Sequence, residues 1–465
     1  MKLALIGGAG VRTPTMVYSL IRKHREIPVE ELRIQDTDET KMEVIGGLIR
    51  YLAQKHGAPF SVRLTADVAE AVRGADFVYT AIRVGGEEGR VIDEKVALRH
   101  GVLGQETTGP GGFAMALRTI PVMLRYAAII EKEAPDAWVI NFTNPAGLIT
   151  EALHRHTRLK VVGICDAPSA LKLDIAKFLG ELPESVYVNY FGLNHLGWIN
   201  RVLVRGKDRL PEIIENYDRF AEVSPHMRGF ATDLIRRLGM LPNEYLYYYY
   251  YRDQAVENIR RSGRTRGEQI VGLNRKLMDE LQVLVRSGKM DEALQAYSRV
   301  MAERQSSYMS AETGTAHAAQ PAGSQEMFEN EGYAGLAMGI MSSIYHHRKS
   351  CFIINVPNRG TVEGLEHDDI VEVPCMLDGN GPIPLSVGKV PDAVKGLIQS
   401  VKQYERYAIS AAVHGSYGDA LMALTVHPLV HSQSLARRIL DEYLIHHEPY
   451  LPQFGKRRTA DAETT

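Results

Sequence analysis

The opening thirteen residues limit the fold more tightly than any other stretch. Lys2 to Ile6 is a short apolar run, Gly7-Gly8-Ala9-Gly10-Val11-Arg12-Thr13 follows, and TMVYSLIRKH then has helical periodicity. A strand that passes through glycines into a helix lets the backbone approach a pyrophosphate, held by N–H donors and the helix dipole. Counted from Gly8 the spacing is G-x-G-x-x-T, so the third glycine of the usual dinucleotide pattern is absent. A plain tight turn would satisfy the same residues. The next apolar run, Glu31 to Gln35, ends at Asp36. An acid about 20 residues beyond such glycines holds the adenosine ribose hydroxyls and favours NAD over NADP.

Further apolar runs, bounded by helical intervals, predict strands at 75–81, 137–141, 160–164 and 187–193. The alternation predicts an α/β, Rossmann-like doubly wound parallel sheet, whose ligands bind at the carboxyl ends of the strands. Gly8, Gly10, Arg83, Asn144, Cys165 and His195 all fall at such ends. Arg83 and Arg90 flank a glycine-rich loop and suit bidentate contact with a phosphate or carboxylate, although loop arginines are commonly just solvated. The segment GQETTGPGG from Gly104 to Gly112 reads as an active-site loop. Asn144-Pro145 follows a strand where dehydrogenase-like folds place nicotinamide and substrate, and is equally a common turn.

Cys165 and His195 stand 30 positions apart, each behind an apolar run. Thiolate and imidazole at the ends of two strands suit one divalent or zinc-like ion with positions left open for substrate. A buried free cysteine and a core histidine give the same pattern in isolation. The convergence of polar residues on the strand ends favours the metal.

Composition removes several classes. A net charge of −2 without a basic block argues against nucleic acid. No run of about 18 apolar residues predicts a membrane span. Three cysteines in 465 residues, and a chain starting directly on a strand, predict a cytoplasmic protein in a reducing compartment. We expect a domain at 1–200, a mixed α+β domain at 201–454 and a disordered tail at 455–465. Arg201 to Asp208 reads as an antiparallel strand with a turn, and strands reappear between Lys349 and Leu377 before a helix-rich end. Tyr245 to Tyr251 holds six tyrosines in seven positions, most of them packing residues, one of them a possible base if a cation lowers its pKa from about 10. Arg264 and Arg266 follow one helix later.

Seven segments resemble, in order, glycoside hydrolase family four: GGAGVRTP, IRVGGEEGR, GQETTGPGG, NFTNPAGLITEAL, GICDAP, GLNHLGW and VEVPCMLDGNGPIPL. The resemblance spans about residues 1 to 450 and leans toward the 6-phospho-β-glucosidase branch. This NAD-dependent family is known to depart from the two-carboxylate scheme of other glycosidases. The resemblance implies oxidation of the sugar C3 hydroxyl with NAD⁺, removal of the acidified C2 proton, elimination of the aglycone, addition of water and return of hydride. A divalent metal, Mn²⁺ in most members, stabilises the enediolate.

Residue by residue, the resemblance implies Cys165 and His195 as metal ligands and Tyr245 as the C2 base, with Tyr247 or Tyr248 as alternatives. It implies Gly8, Gly10, Val11, Asp36 and Asn144 at the cofactor, and Arg83, Arg90, Asn144 and Arg266 around substrate and 6-phosphate. Asp166 stands where many β-specific members carry asparagine, and an aspartate there is the proposed general acid of α-specific members. NFTNPAG and VEVPCMLDGNG favour β. The expected partner is a phosphorylated disaccharide or glycoside, and family likeness implies a homodimer or homotetramer. The alternatives are a 6-phospho-α-glucosidase, a member acting on unphosphorylated or uronic acid substrates, an NAD-dependent 2-hydroxy acid dehydrogenase and a non-catalytic nucleotide sensor.

Overall fold

In the computed structural model, which describes residues 1–314 and 332–455, two sheets share the chain. The expected tail from residue 456 onward lies outside the described residues. Strands β1 (Lys2–Ile6), β2 (Glu31–Gln35), β3 (Ser61–Thr65), β4 (Phe77–Thr80), β5 (Trp138–Asn141) and β6 (Lys160–Gly163) come first. Then follow β7 (Val186–Leu193), β8 (Leu196–Val204), β9 (Lys207–Asp208) and β10 (Leu241–Pro242), and last β11 (Ser350–Pro357), β12 (Ile370–Asp378) and β13 (Gly381–Pro384). The larger sheet has the order β13-β12-β11-β6-β5-β4-β1-β2-β3. Its central strands are parallel and nearly continuously buried, as covering of both faces by helices requires.

The chain leaves β1 toward β2 on one side and returns to β4 on the other, so the strand order reverses between β1 and β4. A doubly wound sheet opens its ligand crevice at that point.

Two features differ from the sequence reading. Residues 187–193 do not join the parallel sheet; β7 pairs antiparallel with β8 in a second, smaller sheet with β9 and β10. Only Asn194 and His195 separate β7 from β8, a spacing that makes a two-residue hairpin and not a crossover. Strand β3 was not anticipated, because an edge strand with a largely half-exposed pattern carries no apolar run. The larger sheet is finished by β11, which turns antiparallel to β6 at Asn355 and Gly163.

Helix 109–133 is, among the described residues, long and apolar enough to cross a bilayer, yet most of its apolar stretch is buried in the protein. Its Arg118 lies fully buried and meets Asp93 through two 2.7 Å hydrogen bonds. Asp93 also meets His447 Nε2 at 2.7 Å, and Tyr443 donates to the Asp93 carbonyl at 2.7 Å. The C-terminal helix 433–446 and its end are thus tied to helix 86–99 by a compensated buried charge.

His427 gives a pH signature to the fold. Its buried Nδ1 accepts from the Leu429 amide at 3.1 Å, and its ring packs edge-on against Tyr404. Burial pushes its pKa down to about 3, so the native ring stays neutral. The unfolded ring takes a proton below about pH 6.5 while the native one does not, so stability falls as pH drops from about 6.5 toward 3. We expect His427→Asn to flatten the slope of unfolding free energy against pH below 6 by up to about 1.4 kcal/mol per pH unit, measured by urea denaturation across pH 4 to 7.

Candidate active site

The carboxyl ends of β1, β4, β5 and β6 and the β7–β8 turn surround one cleft. Gly7 adopts φ +75°, and a Cβ there would lie 2.7 Å from the Ala81 carbonyl oxygen after β4. A Cβ at Gly8 would lie 2.7 Å from the Ile34 side chain, whereas Gly10 has room for one. The close backbone approach therefore rests on Gly7 and Gly8. The Val11 carbonyl accepts from the Tyr297 hydroxyl at 2.8 Å. Asp36 reaches back to this loop and accepts from the Ala9 amide at 3.0 Å. Asn144 lies half-buried in the turn after β5.

Cys165 and His195 are both nearly closed off, at 5% and 6% exposure. His195 takes the left-handed φ of +62° at the hairpin turn, an uncommon conformation for a side chain with a Cβ. Its Nδ1 and the neighbouring Asn194 Oδ1 are buried with no hydrogen-bond partner among the described residues. The Tyr245 ring stacks on the imidazole with centroids 3.5 Å apart and planes 10° from parallel. Tyr245 is presented by a short 3-10 turn at 244–246, capped by Asn243. Its hydroxyl is hydrogen-bonded to that of Tyr308, which donates to Glu244 Oε1 at 3.0 Å. Tyr247 and Tyr248 are buried as well, but neither stacks on the histidine: Tyr247 stacks on Tyr251, and Tyr248 tilts against Tyr245.

Burial pushes the His195 imidazole down to about 3, leaving it neutral. Burial drives the Cys165 thiol well above its ordinary value, and Glu372 and Asp166 push the same way. Tyr245 is raised by burial and by Glu244, Cys165 and Asp166, with the Tyr308 hydrogen bond opposing. This end of the cleft gathers negative charge around an unpartnered nitrogen and a thiol. Among the described residues no three His, Cys, Asp or Glu side chains cluster as a metal cage. A soft thiolate and a neutral imidazole with an unpartnered nitrogen fit a divalent cation whose other positions stay open.

The opposite end gathers arginines. Arg83 Nη2 and Arg90 Nη1 share Glu106 Oε2 at 2.9 and 2.7 Å, and Arg90 Nε meets Glu94 at 2.8 Å. Arg83 keeps a buried Nη1 without a hydrogen-bond partner among the described residues. Among the described residues Arg266 makes no hydrogen bond to a carboxylate; its hydrogen bonds run to Ser307, Gln269 and the Arg304 carbonyl. Burial pulls the Arg304 guanidinium down to about 9, Arg12 and Arg90 adding to the effect and Glu87 and Glu106 opposing it. Burial works against the Glu106 carboxylate too, yet Arg90 and Arg83 outweigh it and hold its pKa far below the usual range. Arg12 lies 5.2 Å over the Tyr333 ring and feels both Asp166 and Glu106.

The cleft thus brings together the glycine loop, Asp36, Asn144, Cys165, Asp166, His195 and Tyr245. Arg90 is spent on structural ion pairs, while Arg83 and Arg266 retain capacity for an anion. Arg12, Glu106, Asn194, Glu244, Arg304 and Tyr308 were not singled out from sequence. Arg12, Glu106, Asn194 and Glu244 lie inside or beside motifs that were; Arg304 and Tyr308 sit in a helical stretch with no motif to mark them.

Comparison with known proteins identifies the family. The family models "Family 4 glycosyl hydrolase" and its C-terminal domain match residues 2–181 and 190–430. A probable 6-phospho-beta-glucosidase of Bacillus subtilis is 36% identical over 461 residues, 98% of each chain. The 6-phospho-beta glucosidase of Thermotoga maritima, solved with manganese, NAD⁺ and glucose-6-phosphate, superposes at TM-score 0.80 and 28% identity over 97% of this chain and 99% of its own. A 6-phospho-alpha-glucosidase from gut microorganisms, solved with NAD and glucose-6-phosphate, gives TM-score 0.83 at 26% identity over 97% and 99%. On these matches, the chain belongs to the family 4 glycosyl hydrolases.

Proposed function

We propose that this chain hydrolyses 6-phosphoglucosides, preferring the β anomer, with NAD⁺ and a divalent cation, Mn²⁺, as cofactors. The observation that carries the reading is the Tyr245–His195 stack beside Cys165, with His195 Nδ1 unpartnered in a pocket of negative charge. Cys165 and His195 would hold the metal. Gly7 against Ala81, Gly8 against Ile34, Gly10, Val11 and the anchored Asp36 would hold the pyrophosphate and ribose of NAD, with Asn144 toward the nicotinamide and sugar hydroxyls. Together the two groups supply a hydride acceptor for C3 and a cation that favours enolate oxygen, thiolate and phenolate over their protonated forms.

The chain's own residues do the rest. Tyr245 accepts the C2 proton at its phenol oxygen, which lies in hydrogen-bond contact with the Tyr308 hydroxyl. Asp166, at the amino terminus of helix 167–179 and within electrostatic reach of Tyr245, would in its protonated form donate to the departing oxygen. Arg83 and Arg266, with Arg12 and Arg304 behind them, receive the 6-phosphate by charge-assisted hydrogen bonds. The β preference rests on the 36% identity to the Bacillus subtilis protein named for β and on the NFTNPAG and VEVPCMLDGNG segments; Asp166 leans the other way.

Release of p-nitrophenol from the α and β 6-phosphoglucosides and their unphosphorylated parents tests the reading. We expect turnover of the phosphorylated β compound only, and only with both NAD⁺ and Mn²⁺. Turnover of the α compound alone would reverse the anomer, and turnover without NAD⁺ would remove the mechanism. Cys165→Ser and His195→Ala are expected to abolish Mn²⁺-dependent activity with NAD⁺ binding intact by fluorescence titration. Tyr245→Phe should lower kcat by about 10²- to 10⁴-fold and stop deuterium entry at C2 of the released sugar in D₂O.

The arginine cluster makes a separate prediction. Glu106→Gln should lower the unfolding free energy at pH 7 by about 2–3 kcal/mol, since two guanidinium groups lose their shared carboxylate. The Glu106 pKa is depressed in the native state, so its contribution is full above about pH 4.3 and fades as pH falls below that value. Urea denaturation of both proteins at pH 7 and pH 3 should show the difference shrinking at the lower pH.

A further inference from the structure

Glu372 on β12 is fully buried between the two sheets, and neither the metal nor the substrate assignment uses it. Three donors converge on its carboxylate. Asn194 Nδ2 and Asn355 Nδ2 donate to Oε1 at 3.2 and 2.9 Å, and the Tyr190 hydroxyl donates to Oε2 at 3.0 Å. Each donor leads to a different part of the site. Asn194 immediately precedes His195. Asn355 faces Gly163 in the sheet, its amide 3.5 Å from the Gly163 carbonyl, two residues before Cys165. The Tyr190 hydroxyl accepts from Asn243 Nδ2 at 3.1 Å, and Asn243 Oδ1 accepts from the Tyr245 amide at 3.0 Å.

The approaches leave little slack. A Cβ on Gly163 would lie 2.3 Å from Thr150 Oγ1 and 2.9 Å from Asn355 Cβ, and one on Gly197 would lie 2.3 Å from the Tyr190 hydroxyl. Tyr190 therefore crosses the hairpin in contact with its backbone.

We propose that Glu372 is a positioning residue that sets His195, Cys165 and Tyr245 relative to one another through three separate hydrogen-bonded arms. The proposal rests on the site reading given above. A carboxylate accepts only, and three donors aimed at it match that property. Outer partners of this kind orient ligating side chains, and their loss costs about 10- to 100-fold in metal affinity. The third arm does not pass through the metal ligands. It fixes the turn that carries Tyr245, and a displacement of about 1 Å at a reacting group costs as much as 10²-fold in rate.

The arms are separable by substitution. Glu372→Ala removes all three. Glu372→Gln keeps an oxygen for Asn194 and Asn355 but takes away the acceptor of the Tyr190 proton. Tyr190→Phe cuts only the arm to Asn243 and Tyr245. The experiment measures Mn²⁺ dissociation by electron paramagnetic resonance of free Mn²⁺, NAD⁺ dissociation by fluorescence, thermal midpoint, and kcat and KM on p-nitrophenyl β-glucoside 6-phosphate, with Cys165→Ser as the control that lacks a ligand.

Expected results are Mn²⁺ binding about 10- to 100-fold weaker in Glu372→Ala with NAD⁺ binding unchanged. Glu372→Gln and Tyr190→Phe should bind Mn²⁺ like the parent and lose kcat by up to about 10²-fold with KM little changed. Parental Mn²⁺ affinity in Glu372→Ala, or parental kcat in Tyr190→Phe, would overturn the proposal alone. So would equal losses of NAD⁺ affinity and thermal midpoint in all three variants, the mark of a merely structural carboxylate. A parent protein that binds Mn²⁺ no better than Cys165→Ser would overturn the site reading itself.

Discussion

Two groups of buried charge face one cleft, carboxylates beside Cys165 and an excess of guanidinium groups around Glu106, and the rest of the site depends on that arrangement. Around Cys165 stand Asp166, Glu244 and Glu372, each raising the cost of a thiolate or phenolate. Around Glu106 stand Arg12, Arg83, Arg90, Arg266 and Arg304, all within its electrostatic reach. Unpaired charge in a low-dielectric interior is costly, so each end calls for a counter-charge from outside the chain. One end suits a cation and the other an anion, which is the dipolar character of a phosphosugar bound beside a divalent metal. Arg12 lies between the two ends and is coupled to both Asp166 and Glu106.

The scaffold draws these groups from several separate strand ends and turns. Gly7 lets the chain leaving β1 approach the residues after β4 at the strand reversal, and Gly8 lets it approach Ile34 of β2, while the second sheet adds its two-residue turn. His195 accepts an uncommon backbone conformation there, and the stacked Tyr245 ring holds it. Local strain at a binding site persists where surrounding contacts over-determine it, and here the stack and the Asn194–Glu372 hydrogen bond do so.

What the sequence made legible follows from the range of each interaction. The glycine loop, Asp36, Asn144, Cys165 and His195 are all ends of apolar runs, and a parallel sheet turns strand ends into neighbours. The hairpin at 194–195 was also written locally, in the two-residue gap between apolar runs, but the run before it resembles a buried parallel strand. Partners joined by side-chain contact left no such trace. Tyr308 reaches Tyr245 from 63 positions away, and Glu372 reaches Asn194 from 178. Arg90 looked like an open anion ligand because its neutralising Glu106 lies on another loop, 16 residues on. Pairings of this kind depend on tertiary packing, and single-sequence periodicity does not encode them.

The larger sheet also has a history built into its strand order. Strand β6 ends beside β5 on one side, and its other edge stays bare until β11 arrives; the residues that meet there, Gly163 and Asn355, are 192 positions apart. A ribosome therefore releases a nearly complete parallel sheet with one open, apolar flank well before the strand that closes it exists. Such a flank is a template for pairing with other chains, and long-range closure is slow. The nascent amino-terminal half carries that unpaired edge through the interval, the kind of exposed edge from which misassembly with other chains starts.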